Sequence, residues 1–214
     1  GTAKEDEGRM RRTLIACKTV EDELEAALGK TGVEIPVKWV ESGLHNVPEK
    51  LHARLQSEID ALDEGVDQVL MCFGSCGTSL VGLEARCHEL VIPRVDDCIS
   101  LLIGSDERRA SISRDYAAYY LTEGWMRGER NLWVEHLYAV EKYGEEGARR
   151  IDEMMYGNYR TLALLDAGVY PIDHLTDETR IIADTLELEQ RTIPASIAHI
   201  EDLLRGPYDD GRFV

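Results

Sequence analysis

Apolar residues recur at two different periods along this chain, and the alternation between them organises its first half. The run Leu14-Ile15-Ala16-Cys17 closes a short apolar segment, Arg12 to Cys17, that predicts a strand. Val20, Leu24 and Leu28 then recur every four residues, the stripe of a helix buried on one side. Thr19 is placed as its N-cap and acids fill its first turn. Gly29 and Gly32 end it. Val37 to Val40 predicts a second strand, running into the turn-rich segment Glu41 to Asn46. Pro48 suits the first position of the next helix, whose inner face is Leu51, Leu55, Ile59 and Leu62. The unbroken apolar run Val69 to Phe73 fits a strand covered on both faces. A loop of small residues, Gly74 to Ser79, leads to a short helix around Leu80 to Ala85. Leu90 to Ile92 predicts a fourth strand, stopped by Pro93.

Four strand–helix alternations argue for an α/β fold: a mostly parallel, Rossmann-like sheet with right-handed crossovers and flanking helices. Tyr119 to Trp125 predicts a fifth strand, after which the pattern changes. Asn131 to Leu165 reads as mostly helical, with a break near Gly144 or Gly157. Val169 to Ile172 predicts a sixth strand, followed by helices over Glu178 to Glu189 and Ser196 to Leu204 and a last strand at Gly211 to Val214. The expected organisation is a flexible leader over 1–11, an α/β region over 12–127 that carries the site, and a helix-rich lobe over 128–214 packed on the same core.

Charge narrows the partners. The 214 residues include 41 acidic and 24 basic side chains, a net charge of −17. Nucleic acids and anionic membranes both require positive surface, so neither is expected as a partner. No apolar stretch approaches the roughly 20 residues that span a bilayer, and the polar first dozen residues lack a signal-peptide core. Five cysteines, an odd number without disulfide-framework spacing, suggest reduced thiols and a cytoplasmic location.

Those cysteines carry the candidate chemistry. In a parallel sheet the residues just after each strand share one edge, where α/β proteins place ligands. Cys17, His45, Cys76 and Cys98 all occupy such positions. Three sulfurs and an imidazole suit tetrahedral zinc, and three sulfurs alone could hold a 4Fe-4S cluster with one open iron. The local spacing is not diagnostic. In an extended strand Cys72 and Cys76 lie on the order of 13 Å apart, so Cys72 is expected to be a core thiol and Cys87 incidental. Gly74 and Gly77 frame a strand-to-helix turn whose backbone amides could hold an anion or cofactor group. Arg94, Asp96 and Asp97 crowd the end of the fourth strand, Arg94 to grip an anionic substrate, an aspartate to orient a ligand or move a proton. Trp125, with Tyr119 and Tyr120, could wall a pocket. His52, His88, His136 and His199 are expected to be solvated, while Asp173-His174 could approach from the second lobe. A metal-free alternative makes Cys76 a nucleophile activated by His45.

Taken together, these segments resemble the bacterial and archaeal family known as domain of unknown function 1638. The resemblance rests on the Cys17 strand, Gly43-Leu44-His45-Asn46-Val47-Pro48-Glu49-Lys50-Leu51, Phe73-Gly74-Ser75-Cys76-Gly77, Gly82-Leu83, Ile92-Pro93-Arg94-Val95-Asp96-Asp97-Cys98, Gly104 and Tyr120-Leu121-Thr122-Glu123-Gly124-Trp125. Lys18 departs from the small residue expected after the first cysteine. The resemblance implies that Cys17, His45, Cys76, Arg94, Asp97 and Cys98 belong to the family pattern and that Cys72 and Cys87 need not. It also implies proximity to corrinoid-dependent methyltransferase systems. The expectation is a metalloprotein acting on a small molecule that carries an anionic group, in one-carbon or methyl-group metabolism. A non-catalytic partner that handles metal or cofactor for a corrinoid methyltransferase is the other class. The sequence leaves open whether the second half covers the site or builds a homodimer contact.

Overall fold

The computed structural model describes residues 10–208 and 211–214, so most of the expected leader over 1–11 lies outside the described residues. The first sheet contains β1 (Arg12–Cys17), β2 (Val37–Val40), β3 (Gln68–Cys72) and β4 (Glu89–Val91) in the order β2-β1-β3-β4, all parallel. β3 is buried along its whole length, as its unbroken apolar run requires. Helix α1 (Glu21–Thr31) and helix α2 (Pro48–Asp60) provide the first crossovers, α2 opening on Pro48 and burying Leu51, Leu55 and Ile59.

The second half is more than a helical lobe. β5 (Ala118–Leu121), β6 (Thr161–Asp166) and β7 (Glu189–Pro194) form a separate parallel sheet, order β5-β6-β7. Between the sheets run α3 (Cys98–Ile103) and α4 (Asp106–Tyr116), the latter capped by the Ser105 hydroxyl, which accepts from the Arg108 amide. α5 (Glu123–Met126) and α6 (Leu132–Tyr156) follow β5. α7 (Ile172–Glu178) and α8 (Arg180–Thr185) join β6 to β7. The final helix, α9 (Ala198–Arg205), returns to pack on α1 and β3. Arg12 donates to the Leu204 carbonyl at 3.0 Å, and Ala163, Leu165, Ile193 and Ile200 join the core of the first sheet. The two halves therefore share buried apolar surface.

Several local expectations are corrected. Thr19 does not cap α1: residues 18–20 form a 3-10 turn, and the Thr19 hydroxyl accepts from the Cys17 thiol at 3.2 Å. Residues 80–85 make turns rather than a helix. The fifth strand stops at Leu121 because Thr122 caps α5, accepting from the Trp125 amide at 3.0 Å. Residues 161–165 are strand rather than helix. The run between Val169 and Ile172 is a turn entering α7, the expected helix over 178–189 ends with α8, and Gly211 to Val214 contributes a single antiparallel bridge, Pro93 to Phe213. His136 and His199 are buried rather than solvated.

Candidate functional site: three thiols in one cavity

Parallel pairing delivers the C-terminal ends of β1 and β3 to the same edge, with Ala16 opposite Cys72. Cys17 is the last residue of β1, and Cys98 is the first residue of α3. Cys76 lies in the loop after β3, held in a left-handed conformation (φ 43°) by its amide, which donates to the Asp96 carbonyl at 2.7 Å. The preceding amide, Ser75, donates to the Val95 carbonyl at 2.8 Å. These two bonds lay the loop after β3 along the loop after β4.

Gly74 makes that approach sterically allowed. A Cβ there would fall 2.3 Å from the Asp97 backbone. Gly74 therefore acts through packing and does not line the cavity, whereas Gly77 does. The cavity holds about 580 Å³, within the range that encloses a small molecule. Cys17, Cys76, Cys98 and His45 all open onto it. Cys17 and Cys98 are buried and Cys76 is partly exposed. The Cys98 thiol interacts with both others, and those contacts together with burial hold its pKa well above the ordinary thiol value. Its contact with Cys98, reinforced by Thr19, moves the Cys17 thiol the other way, despite burial. Cys72 lies beneath, fully buried on β3, its pKa raised by desolvation. Cys87 is exposed.

His45 sits in the 3-10 turn at residues 42–46 and stacks on Trp125, ring centroids 4.6 Å apart. Burial lowers its pKa, which favours the neutral imidazole that can ligate a metal. Trp125 is positioned by α5, and α5 by two contacts with the end of β1. The Thr122 hydroxyl donates to the Thr19 carbonyl at 2.6 Å, and Gly124 packs so closely that a Cβ would come 2.3 Å from the Lys18 carbonyl oxygen. Tyr119, Tyr120 and Tyr159 complete an aromatic wall.

The charged cluster divides. Asp97 lines the cavity, but both its oxygens are engaged: Oδ1 accepts from the Ser100 amide at 2.8 Å, and Oδ2 pairs with Arg109 at 2.7 Å. Asp96 also borders the cavity with an exposed side chain, its amide donating to Asp106 at 2.9 Å. Arg94 is turned away. It is exposed, donates to the Phe213 carbonyl at 3.1 Å and lines a different, shallower cleft. The arginine that reaches the thiol cavity is Arg109 of α4, lying over the Tyr120 ring at 5.4 Å. Sequence reasoning missed it because no helix was read there, although Ser105-Asp106-Glu107 is a helix-start signal. His174 does not reach the thiols. It approaches Glu123 at 3.6 Å and, with Glu178, forms a partly exposed group of three ligand-type side chains.

The described residues include no helix long and apolar enough to cross a membrane. A family model described as a protein of unknown function (DUF1638) matches residues 39–204. The chain belongs to that family. The DUF1638 match includes His45, Cys76 and Cys98, while Cys17 precedes it. No curated protein and no solved structure matches the chain.

Proposed function

We propose that this DUF1638 protein binds a soft metal centre through Cys17, Cys76 and Cys98, with His45 as a neighbouring imidazole ligand, and acts on a small molecule held in the adjoining cavity. The observation that carries the reading is that three thiols from three separate segments, and one imidazole of lowered pKa, line a single cavity. Thiolate and imidazole together suit zinc, and such a centre supplies Lewis acidity or an activated thiol or water when bound. Arg109, rather than Arg94, is the residue suited to an anionic substrate group, with Asp97 fixing its guanidinium. The family's gene context makes one-carbon or methyl-group chemistry, beside a corrinoid methyltransferase, the setting in which to look for that substrate.

One observation favours an iron–sulfur cluster as a second reading. Among the described residues, three thiols and no fourth line the cavity, Cys72 lying fully buried beneath it and Cys87 exposed elsewhere. A four-iron cluster would take three cysteines on three different irons and leave the fourth iron open to substrate.

Anaerobic purification, elemental analysis and an absorption spectrum test both. About one zinc per chain, lost in Cys98→Ala and retained in Cys72→Ala and Cys87→Ala, supports the zinc centre. Iron and sulfide with a broad visible band support the cluster. A folded protein carrying neither refutes the proposal.

A further inference from the structure

The aromatic wall of the thiol cavity has a chemistry of its own. Three of the nine tyrosines, Tyr119, Tyr120 and Tyr159, line it together with Trp125. Successive strand residues point to opposite faces, so Tyr119 and Tyr120 of β5 serve different parts of the cavity. Tyr120 belongs with Arg109. The guanidinium lies over its ring at 5.4 Å, and its hydroxyl is hydrogen-bonded to Ser113 at 2.9 Å. Tyr119 belongs with Tyr159 and Trp125. Its ring meets Tyr159 edge to face, centroids 5.3 Å apart and planes at 89°, and Trp125 interacts with its hydroxyl. Tyr156 meets Tyr119 in the same way, at 5.9 Å and 90°. Perpendicular rings make a corner rather than a stack, and Tyr159, 37% exposed, leaves this one open to solvent.

The surroundings of that corner are negative. Burial and then neighbouring acidic groups raise the pKa of both Tyr119 and Tyr156, Glu135 acting on each of them. The carboxylates that line the cavity are Glu41, Asp96 and Asp97. Arg54 balances Glu41 and Arg109 balances Asp97. Asp96 has no ion-pair partner among the described residues, so the lining keeps an unbalanced negative charge before any thiolate is counted. A purely anionic guest would enter against that charge. A guest with a positive end would not.

We propose that the corner of Tyr119, Tyr159 and Trp125 binds an N-methylated ammonium group, and that the small molecule held in the cavity carries this cation as well as the anionic group assigned to Arg109. The inference rests on the reading that the cavity takes a small molecule, and it supplies the chemistry of that molecule's other end. Aromatic faces attract a cation through their quadrupole but offer it no lone pairs. A primary ammonium would lose hydration there without replacing its hydrogen bonds. A methylated ammonium carries its charge on C–H surface and has few such bonds to lose.

Titration calorimetry of the full chain, purified anaerobically with metal content measured on the same sample, tests this with two probes of one shape. Choline and 3,3-dimethylbutan-1-ol differ only in a charged nitrogen for a neutral carbon. Choline should bind at least about fivefold tighter, and ethanolamine, its primary-amine counterpart, should bind more weakly than choline. Tyr159→Leu should abolish the preference and Tyr159→Phe retain it, both with metal content unchanged. Should Tyr159→Leu fail to fold, the two probes on the wild type still decide. Equal binding of choline and the alcohol overturns the proposal, as does no choline binding up to about 10 mM, well above a Kd of about 1 mM. Either result on protein that carries its metal leaves the metal centre standing. Preferential choline binding by metal-free protein supports the corner while refuting the centre.

Discussion

Glu23 should make this protein less stable as pH rises from about 4.5 to about 7. It lies on α1, fully inaccessible to solvent, and neither carboxyl oxygen has a partner at hydrogen-bonding distance. Tyr170 interacts with it, but its hydroxyl is donated to the Leu165 carbonyl at 2.6 Å. Desolvation raises the Glu23 pKa from 4.5 to about 7, Asp22 adding to the shift and Arg127 opposing it. The folded state then holds a proton that the unfolded state releases near the ordinary carboxyl value. The favourable contribution is complete below about 4.5 and is lost progressively between there and about 7. At 1.36 kcal/mol per pH unit, the loss at pH 8 comes to about 3 kcal/mol.

Glu23→Gln removes the titration while keeping the shape. Urea unfolding of both proteins at pH 5, 6, 7 and 8 gives the comparison. The stability of the variant relative to the wild type should rise by about 2.5 kcal/mol from pH 5 to pH 8. The amide needs donors and acceptors that the site lacks, which adds a constant offset at every pH. Only the slope is diagnostic, and the background from the acidic surface cancels in the difference. Two parallel stability curves would refute the argument.

Other outcomes follow from the same contacts. Gly124→Ala drives a methyl into the Lys18 carbonyl and should cost at least about 2 kcal/mol, with Trp125 fluorescence reporting its displacement from His45. Thr122→Val removes both the α5 cap and the bond to the Thr19 carbonyl, a loss of about 1–2 kcal/mol in thermal or urea melts. Among the five thiols, exposed Cys87 should react first with a maleimide in the metal-free protein, Cys76 next, and Cys72 only on unfolding, as read by mass spectrometry. Arg109→Met should weaken binding of any anionic cavity ligand by tenfold or more in titration calorimetry, while Arg94→Met leaves it unchanged.

The first sheet was legible because each strand there announces itself by an apolar run between turn residues, and α1 and α2 give the parallel order of its first three strands. The same rule brought Cys17, His45, Cys76 and Cys98 to one edge before any geometry was known. Where the reading failed, two periods coincided. Thr161 to Asp166 follows α6 after a short turn, and the apolar Leu162-Ala163-Leu164-Leu165 suits either a helix or a buried strand. β7 hid for the opposite reason. Its Glu189, Arg191 and Thr192 are exposed on an edge strand, so no buried face marks it in sequence.

That missed second sheet changes what the site is. From the first sheet alone, the three cysteines would sit on an open edge, accessible to water and to any thiol reagent. β5 and α5 place Tyr119, Tyr120 and Trp125 across from them and convert the edge into a cavity. Trp125 gets there only because Gly124 and Thr122 press α5 onto the end of β1, two residues from Cys17. Thr19 is at the centre of this junction: its hydroxyl accepts from the Cys17 thiol while its carbonyl accepts from Thr122. The contact that closes the cavity and the contact that helps lower the Cys17 pKa thus run through one residue. Metal affinity and cavity closure should respond together to any change there.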